Sequence, residues 1–455
     1  MQRTDLWKEL NEDKSLPELF QSIPARIPEV ISLALACSLS LMPIISLLIS
    51  ITDGLYFFKY PIMQTAFNTI GYLGISFCLF IIVWNKYNLP KVYRSKLEIL
   101  RDSGLIIFLG LMLFWTILST TFSKDLHLAL WGYVFQGEGL FTVLGYAGCF
   151  VIAINIKQRR YIKLILNIFV ASASVIAALC LINTGKLMAF VNMDPSMAYF
   201  SNQNHYGYFI CMALMSAVLL CVTDENPNSK KTTMILLLHI LELGLLLNAL
   251  IQARSLGPFL AVIIALISLF ILTIFVDKTK IKRVLLIIFF AITIMGISSI
   301  FTWDISSDLY IFNSSLEDLY YGGDKYGFGS GRGTLWIHTV ELIKQRPLFG
   351  YGLDNLSFPN NDGILEFGRP HCEILQFAAC QGIPAALFYV SGLGCLLAMF
   401  VNRFKRIDIL TLCMYCIIGA YLISSIVGNP KFYTSPYYYM LLGLCYSNIK
   451  TFNKS

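Results

Sequence analysis

The stretch LGPFLAVIIALISLFILTIFV, Leu256–Val276, decides the fold class of this sequence. It contains no Asp, Glu, Lys or Arg, and about 20 apolar residues in helical form cross the hydrocarbon core of a bilayer. Basic residues lie on both sides, with Arg254 before the stretch and Lys278 after it. The stretch therefore predicts a transmembrane helix.

Apolar windows of the same kind recur along the whole chain. Hydrophobic residues make up 56% of the 455 residues and charged residues 13%, against about 25% charged in an average soluble chain. This composition excludes a hydrophilic nucleic-acid binder, a disulfide scaffold and a disordered chain, because none of them keeps so much apolar surface away from water. We predict an all-α polytopic membrane protein with about 12 transmembrane helices. Their approximate limits are 29–51, 64–84, 104–122, 139–156, 164–182, 205–222, 232–252, 256–276, 284–302, 383–401, 408–427 and 432–449.

The order of the windows divides the chain into five segments. We predict a charged amphipathic tail at 1–28 without a removable signal peptide, spans 1–9 within 29–302, a large loop with interfacial helices at 303–382, spans 10–12 within 383–449, and a tail at 450–455. With the first tail inside, the segments on the cytoplasmic side hold 24 of the 34 Lys and Arg residues. The positive-inside bias then predicts a cytoplasmic-membrane protein with both termini in the cytoplasm and the large loop outside.

The large loop contains a glycine-rich stretch, Gly327-Phe-Gly-Ser-Gly-Arg-Gly333, followed by an amphipathic pattern over residues 334–346. Apolar residues at i, i+4 and i+7, starting with Trp336, predict a helix that lies on the membrane interface. Arg332 would stand directly before this helix, where a guanidinium and free helix N–H groups form a phosphate site. A flexible loop with a solvated arginine is the alternative.

A second motif in the loop is Arg369-Pro-His-Cys-Glu373, which predicts a short helix with Pro370 in its first turn and Gly382 at its end. His371 would lie in the first turn, where the helix dipole opposes protonation. A neutral imidazole can act as a general base. Glu373 would favour protonation instead. A structural hydrogen bond is the alternative role for His371.

Four further candidates lie at the predicted outer ends of spans. Arg254, between spans 7 and 8, places a permanent cation at the membrane boundary, where it either extends toward headgroups or binds an anion. Glu138, Asn202 and Asn204 are placed to hydrogen-bond sugar hydroxyls, and anchoring at the interface is the alternative. The four positions make a site on the outer side of the membrane a hypothesis.

Two patterns inside the apolar windows are interpreted differently. Cys413-x-x-Cys416 has redox or metal spacing but lies within a span, so we interpret it as packing and predict no disulfide framework from the 12 Cys residues. His239 and Glu242 share one helix face within the hydrocarbon, which predicts a buried pair, with a proton relay as the alternative.

Taken in order, these motifs resemble the O-antigen ligase and O-antigen polymerase superfamily. The resemblance covers about residues 104–445 and is clearest over 329–395. The chain has Cys372 where the family commonly has Asn and Gln203 where it often has Pro, so the substrate cannot be assigned by analogy. The motifs that carry the resemblance are Gly137-Glu-Gly139, Asn202-Gln-Asn204, Ala253-Arg-Ser-Leu-Gly257, Gly331-Arg-Gly-Thr-Leu-Trp336, Pro347-Leu-Phe-Gly-Tyr-Gly352, and His371 with Leu375-Gln376 and Gly382-Ile-Pro384.

The resemblance implies a GT-C-like membrane glycosyltransferase. It would transfer a glycan from an undecaprenyl-diphosphate carrier to a hydroxyl of a glycan, lipid or protein acceptor outside the cytoplasmic membrane, with inversion and without metal, cofactor or nucleic acid. Arg254 and Arg332 would stabilise the leaving diphosphate and His371 would take the acceptor proton. The residues expected to bind substrate are Glu138, Asn202, Asn204, Trp336 and Glu373.

Three other functions remain open at this point. A polymerase that joins lipid-linked repeat units would use the same groups as a ligase. A polysaccharide or lipid-linked glycan transporter would place its cations in a central cavity of the membrane instead. A receptor or scaffold would leave Arg254, Arg332 and His371 far apart.

Overall fold

A computed structural model describes residues 15–24, 26–51, 59–88, 95–134, 136–183, 194–224, 229–302, 305–320, 328–359 and 365–451. Much of the predicted tail at 1–28 and the end of the tail at 450–455 lie outside these residues. The helices up to the large loop are α1 (Leu16–Ser22), α2 (Arg26–Ile51), α3 (Lys59–Asn88), α4 (Lys96–Thr121), α5 (Leu126–Trp131), α6 (Leu140–Ile154), α7 (Arg159–Asn183), α8 (Gln203–Thr223), α9 (Lys230–Gln252), α10 (Leu256–Val276) and α11 (Ile281–Thr302).

The large loop and the last spans complete the described fold. They comprise α12 (Ile305–Tyr320), α13 (Phe328–Gln345), α14 (Glu373–Gln381), α15 (Ile383–Arg403), α16 (Ile409–Ser425) and α17 (Ser435–Thr451). Two short strands, β1 (Ser357–Pro359) and β2 (Leu365–Phe367), pair antiparallel with Phe358 opposite Glu366.

Each predicted apolar window contains one helix, and among the described residues nine helices are long and apolar enough to cross a membrane. The helices in the other three windows, α6, α16 and α17, have 15, 17 and 17 residues. The helical, polytopic architecture is thus confirmed. The count of 12 spans and the side on which each loop lies stay predictions.

Helix α8 is the centre of the bundle. All 17 residues from Tyr206 to Val222 are buried, because α7, α9, α10, α11 and α16 pack around it. A helix that is apolar on every side is expected only where protein surrounds it. The first turn of α8 is therefore held in a fixed position relative to the neighbouring helix ends.

Helices α3 and α6 cross at glycines, which lets their backbones touch. A Cβ atom added to Gly148 would overlap the Gly71 carbonyl oxygen, and one added to Gly71 would overlap the Gly145 carbonyl oxygen. Small residues at such crossings are the usual means of close helix packing in membranes. This crossing fixes α6, and with it the segment that precedes α6 and contains Glu138.

The predicted large loop differs from expectation in two places. Residues 305–320, a polar part of the loop to which no particular helix was assigned from the sequence, form α12. The helix predicted at 334–346 begins at Phe328, six residues earlier. Gly329 and Gly331 have φ angles of 61° and 86°, so these early turns are irregular and leave no simple 3.6-residue pattern in the sequence.

The two patterns inside the spans are buried side chains. His239 Nδ1 lies 2.9 Å from Glu242 Oε2, and His239 Nε2 lies 3.6 Å from Asp224 Oδ2. The predicted buried pair is thus present. Cys413 and Cys416 are buried free thiols.

Candidate active site

Five chain segments meet at one end of the bundle, which we call the site end. They are the segment before α6 (132–139), the first turn of α8 (202–207), the turn between α9 and α10 (252–257), the segment before α14 (368–373) and the segment between α16 and α17 (426–434). Every predicted site residue except Arg332 and Trp336 lies in these segments. Arg332 and Trp336 lie one helical turn apart on α13.

His371 was predicted to lie in the first turn of a helix, but it lies outside the helix. The helix α14 begins at Glu373 with Cys372 as its N-cap, and His371 precedes it with a φ of 50°. This left-handed conformation is uncommon for a residue other than glycine and is maintained only where the surroundings impose it. Pro370 consequently stands outside the helix, whereas Gly382 ends it as predicted.

The imidazole of His371 is electrically neutral at physiological pH. Burial, followed by the positive charges of Arg332 and Arg369, lowers the pKa of His371 from 6.5 to about 4. The predicted neutral histidine is therefore present, but its cause is burial beside two guanidinium groups rather than a helix dipole. The same interaction places Arg332 and His371 within electrostatic reach of each other.

Asn429 contacts the Nδ1 edge of the His371 ring. Its Nδ2 lies 3.2 Å from His371 Nδ1, and its Oδ1 is buried without a hydrogen-bond partner among the described residues. An amide oxygen and nitrogen can exchange places by a half-turn of the side chain. In the turned orientation Oδ1 accepts a hydrogen bond from Nδ1–H, which leaves His371 Nε2 as the proton acceptor.

Arg332 lies inside α13, not directly before it, so its predicted position at the helix start was wrong. Its Nη1 donates to the Gly329 carbonyl oxygen at 2.9 Å, and its Nε is buried without a partner in the described part of the chain. Arg332 and Glu373 both lie within electrostatic reach of the Tyr208 hydroxyl. A buried guanidinium N–H without an acceptor is costly unless a ligand or water satisfies it.

Arg254 is exposed in the tight turn between α9 and α10, with a φ of 47°. The turn packs against the site, because a Cβ atom added to Gly257 would lie 2.7 Å from Val427 Cγ2. Val427 and Asn429 belong to one segment, so the turn that carries Arg254 abuts the segment that contacts His371. The structure thus brings the turn that carries Arg254 to the site end, where Arg332 and His371 lie within electrostatic reach of each other.

Asn202 and Asn204 contribute to the framework of this region. Asn202 is the N-cap of α8 and its side chain accepts from the Asn204 backbone N–H at 2.7 Å. The side-chain Oδ1 of Asn204 accepts from the Ser255 hydroxyl at 2.7 Å. These bonds tie the first turn of α8 to the turn that carries Arg254.

A buried ion pair that no sequence motif indicates joins three of the segments. Arg369 donates to Asp354 at 2.7 Å and to the Pro430 carbonyl oxygen at 2.7 Å. Asp354 also accepts from the backbone N–H groups of Tyr133 and Glu138, at 3.1 and 2.9 Å. Removing one partner of such a pair is strongly destabilising, because the other charge is then left unpaired in the interior. The intact pair adds little stability by itself.

Glu138 lies beneath the surface, so interface anchoring does not describe it. It is 3% exposed, and the Tyr146 hydroxyl donates to it at 2.6 Å. Burial raises the pKa of Glu138 to about 7, against the effect of Arg369. Lys431 is 2% exposed and donates to Gln136 at 3.0 Å, and burial together with Arg369 lowers the pKa of Lys431 to about 7.

Glu373 is fully buried in the first turn of α14. Burial raises the pKa of Glu373 to about 8, although the hydroxyls of Ser425 and Tyr421 act in the opposite direction. Neither hydroxyl reaches hydrogen-bonding geometry, and both carboxyl oxygens lack such a partner among the residues described. At neutral pH the group is mostly protonated, so it can donate a hydrogen bond. Trp336 Nε1 is another buried donor without a described partner.

Several residues at the site end carried weak signals in the sequence. Lys431 is the one Lys or Arg in the last predicted outer segment, and Arg369 precedes the histidine motif directly. A charged residue between two apolar windows indicates a functional position. Its partner cannot be read from the sequence, because the partner lies far away in the chain. The pairing of Arg369 with Asp354 is therefore visible only in three dimensions.

Residues 243–390 match the family model described as O-Antigen ligase. This part of the chain is similar to that family. The match confirms the resemblance to this superfamily and includes Arg254, Arg332, Trp336, His371 and Glu373. No curated protein matches the chain. The roles of the individual residues in the domain stay predictions.

Proposed function

We propose that the protein transfers a glycan from an undecaprenyl-diphosphate carrier to an acceptor hydroxyl at the outer side of the cytoplasmic membrane. The observation that carries the proposal is the meeting of Arg332 and His371, which lie within electrostatic reach of each other beside the turn that holds Arg254. Permanent cations next to a neutral base suit a reaction in which a diphosphate leaves and a hydroxyl loses its proton.

In the proposed step, the acceptor oxygen attacks the anomeric carbon from the face opposite the diphosphate. The new carbon–oxygen bond forms as the old one breaks, the bonding electron pair passes to the phosphate oxygen, and His371 Nε2 takes the hydroxyl proton. Negative charge grows on the leaving group, so Arg254 and Arg332 stabilise the transition state more than the ground state. Glu138, Asn202, Asn204, Trp336 and Glu373 are proposed to bind the sugar and the acceptor.

The low basicity of His371 in the free protein is consistent with this role. A bound diphosphate brings negative charge beside Arg332 and Arg369, and thereby offsets the two charges that disfavour the imidazolium. His371 then becomes a stronger base only when the donor is present.

The test uses the purified full-length protein with undecaprenyl-diphosphate-linked glycan and candidate hydroxyl acceptors. His371→Ala should lower turnover by roughly 10²- to 10⁴-fold, as for loss of a general base, and Arg332→Ala should lower kcat more than it raises KM. The matched controls are His127→Ala and Arg346→Ala, because both residues are exposed and lie outside the site. Full transfer by both site variants would refute the mechanism.

The same assay separates the alternative functions. Elongation of the lipid-linked glycan without an added acceptor identifies a polymerase, because donor and acceptor are then the same molecule. Movement of lipid-linked glycan across vesicles without bond formation identifies a transporter.

A further inference from the structure

His205 is held at the site end by a hydrogen-bond chain. The residue lies in the first turn of α8, and its Nδ1 is 2.9 Å from the Tyr433 hydroxyl. The Tyr433 hydroxyl also bonds to the Ser201 hydroxyl and receives the Ser201 backbone N–H at 3.4 Å. One edge of the imidazole is thus fixed by a fully buried tyrosine.

His205 also lies near several basic residues of the site end. Lys431, Arg369 and His371 lie within electrostatic reach of the ring. The neighbouring residue, Asn204, is bonded to Ser255, which directly follows Arg254. His205 therefore lies within reach of Arg369 and Lys431, and directly follows the residue that is bonded to the turn carrying Arg254.

The hydrogen bond between Tyr433 and His205 Nδ1 is linked to which ring nitrogen carries the hydrogen. His205 Nε2 forms no hydrogen bond with any residue that the structure describes, and the ring is only partly buried. The Tyr433 oxygen accepts from the Ser201 N–H, and either hydroxyl can be the donor between Ser201 and Tyr433. When the Ser201 hydroxyl donates to Tyr433, the Tyr433 hydrogen is directed to His205 Nδ1. A ring whose Nδ1 accepts a hydrogen bond carries its hydrogen on Nε2.

We propose that His205 is a further substrate-binding residue, whose Nε2–H donates a hydrogen bond to a phosphate oxygen of the lipid diphosphate, with Tyr433 as its positioning residue. This inference rests on the proposed function. A phosphate oxygen fits better than a neutral sugar hydroxyl, because Arg369 and Lys431, which lie within electrostatic reach of the ring, attract negative charge. A donor fixed where charge accumulates needs no reorganisation during the reaction.

Two substitutions separate this role from a purely structural one. In His205→Gln the amide nitrogen takes the approximate place of Nε2, whereas in His205→Asn it takes the place of Nδ1 and faces Tyr433. We expect the Gln variant to keep kcat/KM within about threefold and the Asn variant to lose roughly 30-fold, as for one lost hydrogen bond to a charged group. The reverse order, with Asn active and Gln impaired, would overturn the proposal.

The positioning role of Tyr433 has its own readout. Tyr433→Phe removes only the hydroxyl, and should lower kcat about tenfold with little change in KM. Rescue of this loss in the double variant with His205→Gln is expected, because Gln does not need Tyr433 to set a tautomer. Tyr437→Phe is the control, since the Tyr437 hydroxyl is buried without a hydrogen-bond partner in the described ranges. Equal activity of the two Phe variants would contradict the role of Tyr433.

A binding measurement distinguishes failure of this inference from failure of the proposed function. Binding of glycan-free polyprenyl diphosphate to the wild type and to His205→Asn is measured in detergent, with polyprenyl monophosphate as the comparison. A five- to tenfold weaker binding of the diphosphate by the variant supports the inference even if no acceptor is glycosylated. Equal binding together with equal turnover would overturn it and leave glycan transfer intact.

Discussion

Replacing Arg332 by Gln should move the acid limb of the pH profile of kcat/KM to higher pH. The neutral form of His371 is the proposed base, so activity is lost as pH falls through its pKa in the free enzyme. Arg332 opposes protonation of His371. Removing the charge raises the pKa, and the imidazole then becomes protonated at a higher pH than in the wild type.

The size of the displacement is bounded by the structure. The pKa of His371 falls from 6.5 to about 4, a difference of about 2.5, or roughly 3.4 kcal/mol against the imidazolium. Burial is the largest cause, Arg332 the second and Arg369 the third. Arg332 therefore accounts for less than half of the difference. The limb should move upward by at most about 1.2 pH units.

The assay measures initial rates of glycan transfer between pH 4 and 8. After exposure to each pH the protein is returned to pH 7 and its activity is measured again, which excludes irreversible loss of activity. Arg346→Gln serves as the control, because Arg346 lies on the same loop but is exposed and contacts Tyr351 instead. In the wild type, the acid limb of kcat should also lie at a higher pH than the acid limb of kcat/KM, because bound diphosphate offsets the charges of the cations and raises the pKa of His371. An unchanged limb in Arg332→Gln, together with a changed amplitude, would refute the coupling of Arg332 to His371.

Three other predictions concern the supports of the site. Asn429→Leu should lower kcat about tenfold and Asn429→Asp should retain activity, because an oxygen that accepts from His371 Nδ1–H is the required feature; kinetics at saturating donor test this. Arg369→Met should destabilise the fold by about 3–5 kcal/mol, since it leaves Asp354 buried and unpaired, and thermal unfolding in detergent measures the loss. Gly352→Ala should also lower the unfolding temperature, because its φ of 96° is strained for alanine.

The membrane architecture could be predicted because each span is encoded locally. The boundaries of α10 agree with the prediction at Leu256 and Val276, where Ser255 and Asp277 interrupt the apolar run. The amphipathic loop helix was predicted from its periodicity, but its start was not. The positive φ angles of Gly329 and Gly331 belong to a backbone path that no apolar pattern records.

The site residues could be predicted only as types and positions. A histidine, two arginines and several polar residues at span ends were visible in the sequence, and the structure brings their segments together. Their surroundings were not visible, because Arg369 meets Asp354 and Asn429 meets His371 across 15 and 58 residues of chain. Charge and burial at the site depend on such contacts, and so does the basicity of His371.

One guanidinium explains why the proposed base and its amide partner meet. Arg369 is bonded to Pro430, which follows Asn429, while His371 lies two residues after Arg369. The bond therefore brings the two segments into register, and the left-handed backbone at His371 turns its ring toward Asn429. That backbone conformation costs about 1–3 kcal/mol, and it is imposed by the bonds that hold Arg369 to Asp354 and to Pro430. The same Arg369 also lowers the pKa of His371, so the group that positions the imidazole keeps it neutral until an anion arrives.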